Sequence, residues 1–161
     1  MIDLSDLIAP EAVLADASAT GKREALKLAA RLMARRLWTP VRLVEGALLE
    51  REALGSTGFG GGVALPHGRL NGLDRHVAGV VRLTQPVDFQ SFDGKPVWLL
   101  LVLLGPQDAG ATHLKALART SRAIREPGMR ERIAGAADAA AIHALLAGRE
   151  GIAAGETRDV A

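Results

Sequence analysis

Apolar residues recur along the chain at two spacings, and the alternation between them lays out the elements. Over residues 22–37, Leu26, Ala30, Met33 and Leu37 fall at helical spacing, with Leu28 and Leu32 widening the stripe. Thr39-Pro40 reads as an N-cap followed by a helix-initiating proline. The helix it opens carries Val41, Val44 and Leu48 inward and runs to about Leu54. Short apolar segments predict strands at 63–66 and 77–83. The run 97–104, Val-Trp-Leu-Leu-Leu-Val-Leu-Leu, does not alternate, which marks a central strand buried on both faces. Helical spacing returns over 111–125, 128–134 and 138–147, and in the first of these Leu114, Leu117, Ala118, Ser121 and Ile124 form the predicted core side. Weaker signals give a short helix at 3–8, an extended segment at Ala12–Leu14, and turn material at 85–88 and 92–96 around a short or edge strand. Residues 148–161 predict a frayed tail. The expected fold is α/β (α+β): one domain over 3–147, with helices flanking a mixed parallel/antiparallel sheet.

Composition narrows this picture. A chain of 161 residues buries roughly 70% of its unfolded surface without staples. Hydrophobic residues make up 48% but aromatics only 3%, so the core must be aliphatic. The absence of cysteine excludes a disulfide framework, a thiolate nucleophile and a zinc–thiolate site. The start, Met1-Ile-Asp-Leu-Ser-Asp, lacks the basic and apolar regions of a signal peptide. The longest apolar run is far short of the ~20 residues a spanning helix needs. A cytoplasmic protein without membrane insertion is expected. The net charge is only +2, and Arg23, Lys27, Arg31 and Arg35 repeat every four residues on the first long helix. No aromatic residue interleaves with them to stack bases, so they read as a solvated face and no nucleic-acid partner is expected.

The chemistry gathers in residues 55–69. Five of the eight residues from Gly55 to Gly62 are glycine, and Val63-Ala64-Leu65 leads from them into Pro66-His67-Gly68. Pro66 biases Leu65 to an extended conformation, and Gly68 leaves one flank of the imidazole uncrowded. This presents His67 at a strand end, beside a loop rich in N–H donors, in a setting able to hold a phosphoryl group on histidine. The glycine run is not a dinucleotide fingerprint, because Val63 stands where the third glycine would be, and no Gly-Lys-Ser/Thr follows to make a Walker A loop. No Gly-x-Ser-x-Gly elbow exists, and His67, His76, His113 and His143 show no metal-ligand spacing. His76 at a strand edge and His143 in an Ala-rich helix read as ordinary, partly exposed histidines. His113 belongs near the first turn of a helix, where the dipole disfavours imidazolium and favours a nearby anion.

These residues resemble a family. Glu50-Arg51-Glu52-Ala53-Leu54-Gly55-Ser56-Thr57-Gly58-Phe59-Gly60 and Val63-Ala64-Leu65-Pro66-His67-Gly68 look like the type-2 (fructose/mannitol class) IIA domain of the phosphoenolpyruvate-dependent sugar phosphotransferase system, nearest its nitrogen-regulatory branch. The resemblance continues through Pro86-Val87-Asp88-Phe89, Phe92-Asp93-Gly94-Lys95-Pro96-Val97, Leu104-Gly105-Pro106 and Thr112-His113-Leu114-Lys115-Ala116-Leu117-Ala118, covering residues 3–147 in order. Gly61-Gly62 departs from it, since members often carry a polar residue there.

The resemblance implies that His67 is the phosphorylated residue, His113 its active-site companion and Arg51 a neighbour of the phosphohistidine. Ser56, Thr57 and Gly58 are the expected further phosphate contacts. It implies no cofactor and no metal. The phosphate would come from an HPr-type phosphocarrier charged from phosphoenolpyruvate by enzyme I. A stand-alone chain of the nitrogen-regulatory kind would then act on target proteins, such as potassium-transport components or sensor kinases, according to its phosphorylation state. The alternative is a sugar-transport IIA passing phosphate to a separate IIB. Either way it is a phosphotransferase-system component rather than a turnover enzyme acting alone. An unrelated phosphohistidine phosphatase or mutase would need a second acid/base group, and none is well placed.

Overall fold

The strand β6 (Val97–Pro106) is the axis on which the rest of the chain assembles. Its residues Leu99 to Leu104 are all at most 1% exposed, and each fully buried leucine contributes roughly 1.5–3 kcal/mol. Odd positions Leu99, Leu101 and Leu103 enter one apolar cluster, while even positions Leu100, Val102 and Leu104 enter the other. That two-sided burial is why the sequence does not alternate here.

The computed structural model describes residues 3–148. Along the chain lie β1 (Ile8–Ala17), α1 (Lys22–Leu37), α2 (Val41–Ala53), β2 (Gly58–Gly60), β3 (Val63–Ala64), β4 (His67–Leu70), β5 (Val77–Val87), β6, α3 (Ala111–Arg125), α4 (Met129–Gly135) and α5 (Ala139–Leu146). The sheet order is β1-β5-β6-β3-β2, with β4 also paired to β6. The pairs β1–β5, β3–β6 and β4–β6 run parallel, and β5–β6 and β2–β3 antiparallel. Ala25, Leu26, Ala29, Met33, Val44 and Leu48 of α1 and α2 cover one face. Ile124, Met129, Ile133, Ile142 and Leu146 of α3–α5 cover the other. The mixed sheet between helices, in one domain, is the architecture expected from the sequence. Among the described residues no helix is long and apolar enough to cross a membrane.

Several local expectations change. Residues 3–8 form a turn leading into β1 rather than a helix, with Leu7 N and Ile8 N both bonded to Leu4 O and Ala78 N drawn to Leu7 O. The extended segment at Ala12–Leu14 is the middle of a ten-residue strand. Its apolar alternation is hidden by Pro10-Glu11 and by register shifts along β5. Pro40, at ψ 133°, is itself the residue before α2, and no side chain accepts a capping bond there. Val41 is 37% exposed rather than inward. β5 continues past residue 83 to Val87. The segment 63–66 breaks at Leu65-Pro66 into β3 and β4, both on the same edge of β6. In α3 the buried positions are His113, Thr120, Ala123 and Ile124, so the stripe is rotated and Leu114 is 69% exposed. His143 is buried, and its Nε2–H donates to Ile8 O at 2.9 Å because α5 packs on β1. Arg23, Lys27, Arg31 and Arg35 are all exposed on α1. Of the tail predicted over 148–161, residues 149 onward lie outside the described residues.

Candidate functional site

Three elements converge at the carboxyl end of β6. The parallel register of β4 on β6 sets His67 opposite Leu103, so the imidazole leaves the sheet just after the Leu65-Pro66 break. The last turn of α2 brings Arg51 over it. Gly68 allows this approach, since a Cβ there would stand 3.2 Å from the Ala47 side chain. The first turn of α3 supplies His113, whose ring centroid lies 5.8 Å from that of His67.

The hydrogen bonds fix the chemistry of the His67 ring. Arg51 Nε donates to His67 Nε2 at 3.2 Å, and His67 Nδ1 lies 2.8 Å from Leu65 O. A guanidinium can only donate, so Nε2 carries the lone pair and Nδ1 carries the proton it gives to Leu65 O. Nε2 is therefore the nucleophilic nitrogen. Burial, opposed by the hydrogen bond to Leu65 O and reinforced by the Arg51 charge, holds the His67 pKa below its ordinary value. The ring is then neutral at pH 7. A second bond, Arg51 Nη1 to Gly55 O at 2.9 Å, orients the guanidinium.

His113 is 5% exposed, and its pKa is lowered to about 4 by burial first and then by His67, His76 and Arg69. Its Nδ1 lies 3.1 Å from Nε2 of His76, so a third histidine joins the site. The cleft itself has a volume of about 430 Å³. Arg51, His67, Arg69, Gln107 and His113 give it polar walls, and Leu54 and Leu114 form an apolar rim.

The structure thus brings together His67, His113 and Arg51. It directs the polar groups of Ser56, Thr57 and Gly58 into the protein. Ser56 Oγ donates to Phe89 O at 2.6 Å, and Gly58 N donates to Ser56 Oγ at 3.1 Å. Thr57 donates from N (3.0 Å) and from Oγ1 (2.5 Å) to the buried Glu52 carboxylate, which also pairs with Lys22 at 2.7 Å. These residues brace the loop that carries Gly55. Gly60, Gly61 and Gly62, all at positive φ, turn β2 into β3. That turn lies beside Trp98 at the other end of the strand, and the register from Val63 to His67 advances four residues along β6, a span of ~13 Å.

Two residues of the site were not singled out in the sequence. Arg69 follows His67 by two in a strand, and the period of two places it on the same face. His76 was set aside as an ordinary strand-edge histidine. Its local signal is slight, because its partner lies 37 residues away.

A model of the family described as "Phosphoenolpyruvate-dependent sugar phosphotransferase system, EIIA 2" matches residues 6–148. The chain is 43% identical over 144 residues to a nitrogen regulatory protein of Bradyrhizobium diazoefficiens, covering 89% of this chain and 94% of that one. The nitrogen regulatory protein IIA-Ntr of Neisseria meningitidis has the same fold, with a TM-score of 0.81 at 32% identity over 88% of this chain and 97% of that one. The enzyme IIA of the Escherichia coli mannitol system, solved in complex with phosphorylated enzyme IIB, gives a TM-score of 0.73 at 22% identity over 89% of this chain and 100% of that one. That last likeness is one of fold alone. The chain belongs to the type-2 EIIA family of the phosphoenolpyruvate-dependent sugar phosphotransferase system. It is a phosphotransferase-system IIA protein, similar to the nitrogen-regulatory members.

Proposed function

We propose that this protein is a cytoplasmic histidine phosphocarrier that accepts a phosphoryl group on His67 Nε2 and regulates other proteins according to whether that group is present. The observation that carries the reading is the pair of bonds on His67, Nδ1–H to Leu65 O and Arg51 Nε–H to Nε2. They supply a neutral imidazole with its lone pair aimed into the cleft, so no separate base is needed.

In the step itself, the lone pair of Nε2 forms the new N–P bond. The bond between phosphorus and the histidine nitrogen of an HPr-type donor breaks, and its electron pair leaves with that nitrogen. The His67 proton stays on Nδ1, where Leu65 O stabilises the positive character the ring acquires. Transfer passes through a loose transition state, so the protein mainly positions the group and stabilises its charge. Arg51 swings its donors from the nitrogen to the phosphoryl oxygens, and Arg69 and His113 face the same volume. Ser56, Thr57 and Gly58 have a bracing part in this account. No cofactor or metal enters it.

The apolar rim, with Leu54 82% and Leu114 69% exposed, supports approach by protein partners. A phosphoryl group adds a charge of about −1.5 to −2 at the centre of that rim. A partner covering the cleft must desolvate it, so a coupling giving roughly 5–150-fold discrimination is expected between the two states. The test is to incubate the protein with phosphoenolpyruvate, enzyme I and the HPr-type carrier. The unphosphorylated and phosphorylated proteins are then compared in affinity capture alongside His67→Ala. Different partner sets for the two states support regulation. Identical sets, together with handover of phosphate to a IIB domain and a sugar, replace regulation with sugar transport.

A further inference from the structure

We propose that His76 is a positioning residue that fixes the tautomer of His113, so that His113 presents a neutral Nε2–H donor to the group carried by His67. The proposal rests on the reading of His67 as the phosphoryl acceptor.

Neutral imidazole has one ring proton, and its place decides whether the other nitrogen gives or accepts. His113 Nδ1 is taken by His76 Nε2 at 3.1 Å. Its remaining nitrogen, Nε2, is left for the cleft that it lines with His67, Arg51 and Arg69. If the proton sat on Nδ1, the lone pair of Nε2 would face phosphoryl oxygens, and the contact would be repulsive. If His76 donates to Nδ1, the proton must sit on Nε2 and the contact becomes a hydrogen bond. A phosphohistidine therefore selects the arrangement in which His76 gives and His113 passes on, and the neutral ring avoids burying a further charge. Burial keeps both rings below the ordinary histidine pKa, so both are neutral at pH 7.

The backbone is shaped for this pair. His76 immediately precedes β5, whose first residue Val77 is registered on Leu104, and Gly105 follows on β6. The pair rests against Gly105. A Cβ at that residue would stand 2.4 Å from His76 Nε2 and 2.9 Å from His113 Nδ1, so only glycine leaves room for the bond. His76 also lines a second cleft, with Asp74, Arg75, Lys115 and Arg119. It thus connects that solvent-facing side to the phosphate side through a single ring.

The test uses the full chain, with its histidines labelled with ¹⁵N, and reads each ring's tautomer by long-range ¹⁵N–¹H correlation before and after phosphorylation. The expected result is His113 protonated on Nε2 and His76 protonated on Nε2. In His76→Phe, which cannot donate, phosphoryl transfer from saturating carrier should slow roughly fivefold to tenfold, the loss expected for one neutral hydrogen bond. The carrier concentration giving half-maximal rate should stay as it was. His76→Gln, whose amide can donate, should recover most of that loss. His113 protonated on Nδ1 in the wild type, or His76→Phe transferring at the wild-type rate, would overturn the proposal. Should His76→Phe not fold, the wild-type tautomer and His76→Gln decide. A wild type that never takes up phosphate counts against the phosphocarrier reading, whereas one that takes it up with His113 protonated on Nδ1 counts against the tautomer alone.

Discussion

Replacing Gly105 with alanine tests whether the histidine cluster is held by the close approach of the rings to β6. The new Cβ would lie 2.4 Å from Nε2 and 2.5 Å from Cδ2 of His76, and 2.9 Å from Nδ1 of His113. Regaining ordinary van der Waals separation requires the His76 ring to retreat by about 1 Å and the His113 ring by about half as much. His113 is 5% exposed, so little free space surrounds it. Gly105 is not among the residues at positive φ, so alanine suits the backbone and the cost falls on the imidazoles. Overpacking of this kind costs about 1–3 kcal/mol. At roughly 2–4 °C per kcal/mol for a chain of this size, Tm should fall by about 2–12 °C. The rate of phosphoryl transfer should fall with it. Gly46→Ala is the control. It lies inside α2 with nothing within 4 Å of its would-be Cβ, so helix propensity alone should raise stability by about 0.5–1 kcal/mol. Thermal unfolding followed by circular dichroism, with transfer rates on the same samples, decides the matter. A Gly105→Ala protein that melts at or above the wild-type temperature and transfers at the wild-type rate refutes the packing argument.

Three further outcomes follow from the same geometry. Arg51→Ala should slow labelling of His67 by about 10²–10³-fold without abolishing it, the loss typical of one charge-stabilising donor, and a quench-flow series that finds the normal rate would remove Arg51 from the mechanism. His113, at about 4 when folded against the 6.5 of an ordinary histidine, binds fewer protons folded than unfolded in that window. Its contribution therefore lowers stability as pH falls from 6.5 towards 4 and is flat above, so His113→Gln should flatten part of the Tm–pH profile there, whereas an identical slope in the variant would count against the buried neutral ring. Arg82 is buried in β5 and donates to Ile133 O at 2.9 Å and Ala136 O at 2.7 Å beyond the end of α4, and to Asp16 at 3.1 Å. Arg82→Met leaves Ala136 O without its arginine donor and Ile133 O with only the Ala136 N–H, and should cost about 2–4 kcal/mol in urea unfolding, a change below 1 kcal/mol being the contrary result.

The regular parts of this fold were legible because one physical signal dominated each. Leu99–Leu104 could be read as a doubly buried strand because its burial leaves no polar position, and Leu26, Ala30 and Met33 mark the inner face of α1 as spacing predicts. β1 was obscured because Pro10-Glu11 interrupts its pattern while its pairing to β5 comes from residues 70 positions away, Ile8 to Ala78. The core side of α3 was misjudged because His113 takes an inward position that hydrophobicity assigns to a leucine, and Leu114 turns out to the cleft rim. In the site, Arg51, His67 and His113 carry recognisable motifs, and the fold brings them to one cleft. The glycine run divides, with Gly55 O held by Arg51 at the site and the rest leading away from it. Its residues 60–62 serve the β2–β3 turn, and only the parallel register on β6 reveals their separation from His67. His76 was hidden for a related reason, since a strand-edge histidine gains its meaning only from Gly105 and His113 across the sheet.

The central claim is that one atom, Nε2 of His67, receives the phosphoryl group. Protein with ¹⁵N-labelled histidines, phosphorylated by phosphoenolpyruvate, enzyme I and the HPr-type carrier, should show ³¹P coupling to a single ring nitrogen, Nε2 of His67. Nδ1 should keep the proton it gives to Leu65 O, and His67→Ala should take up no phosphate at all. Coupling to Nδ1, coupling to His113 or His76, or labelling that persists in His67→Ala would contradict the account.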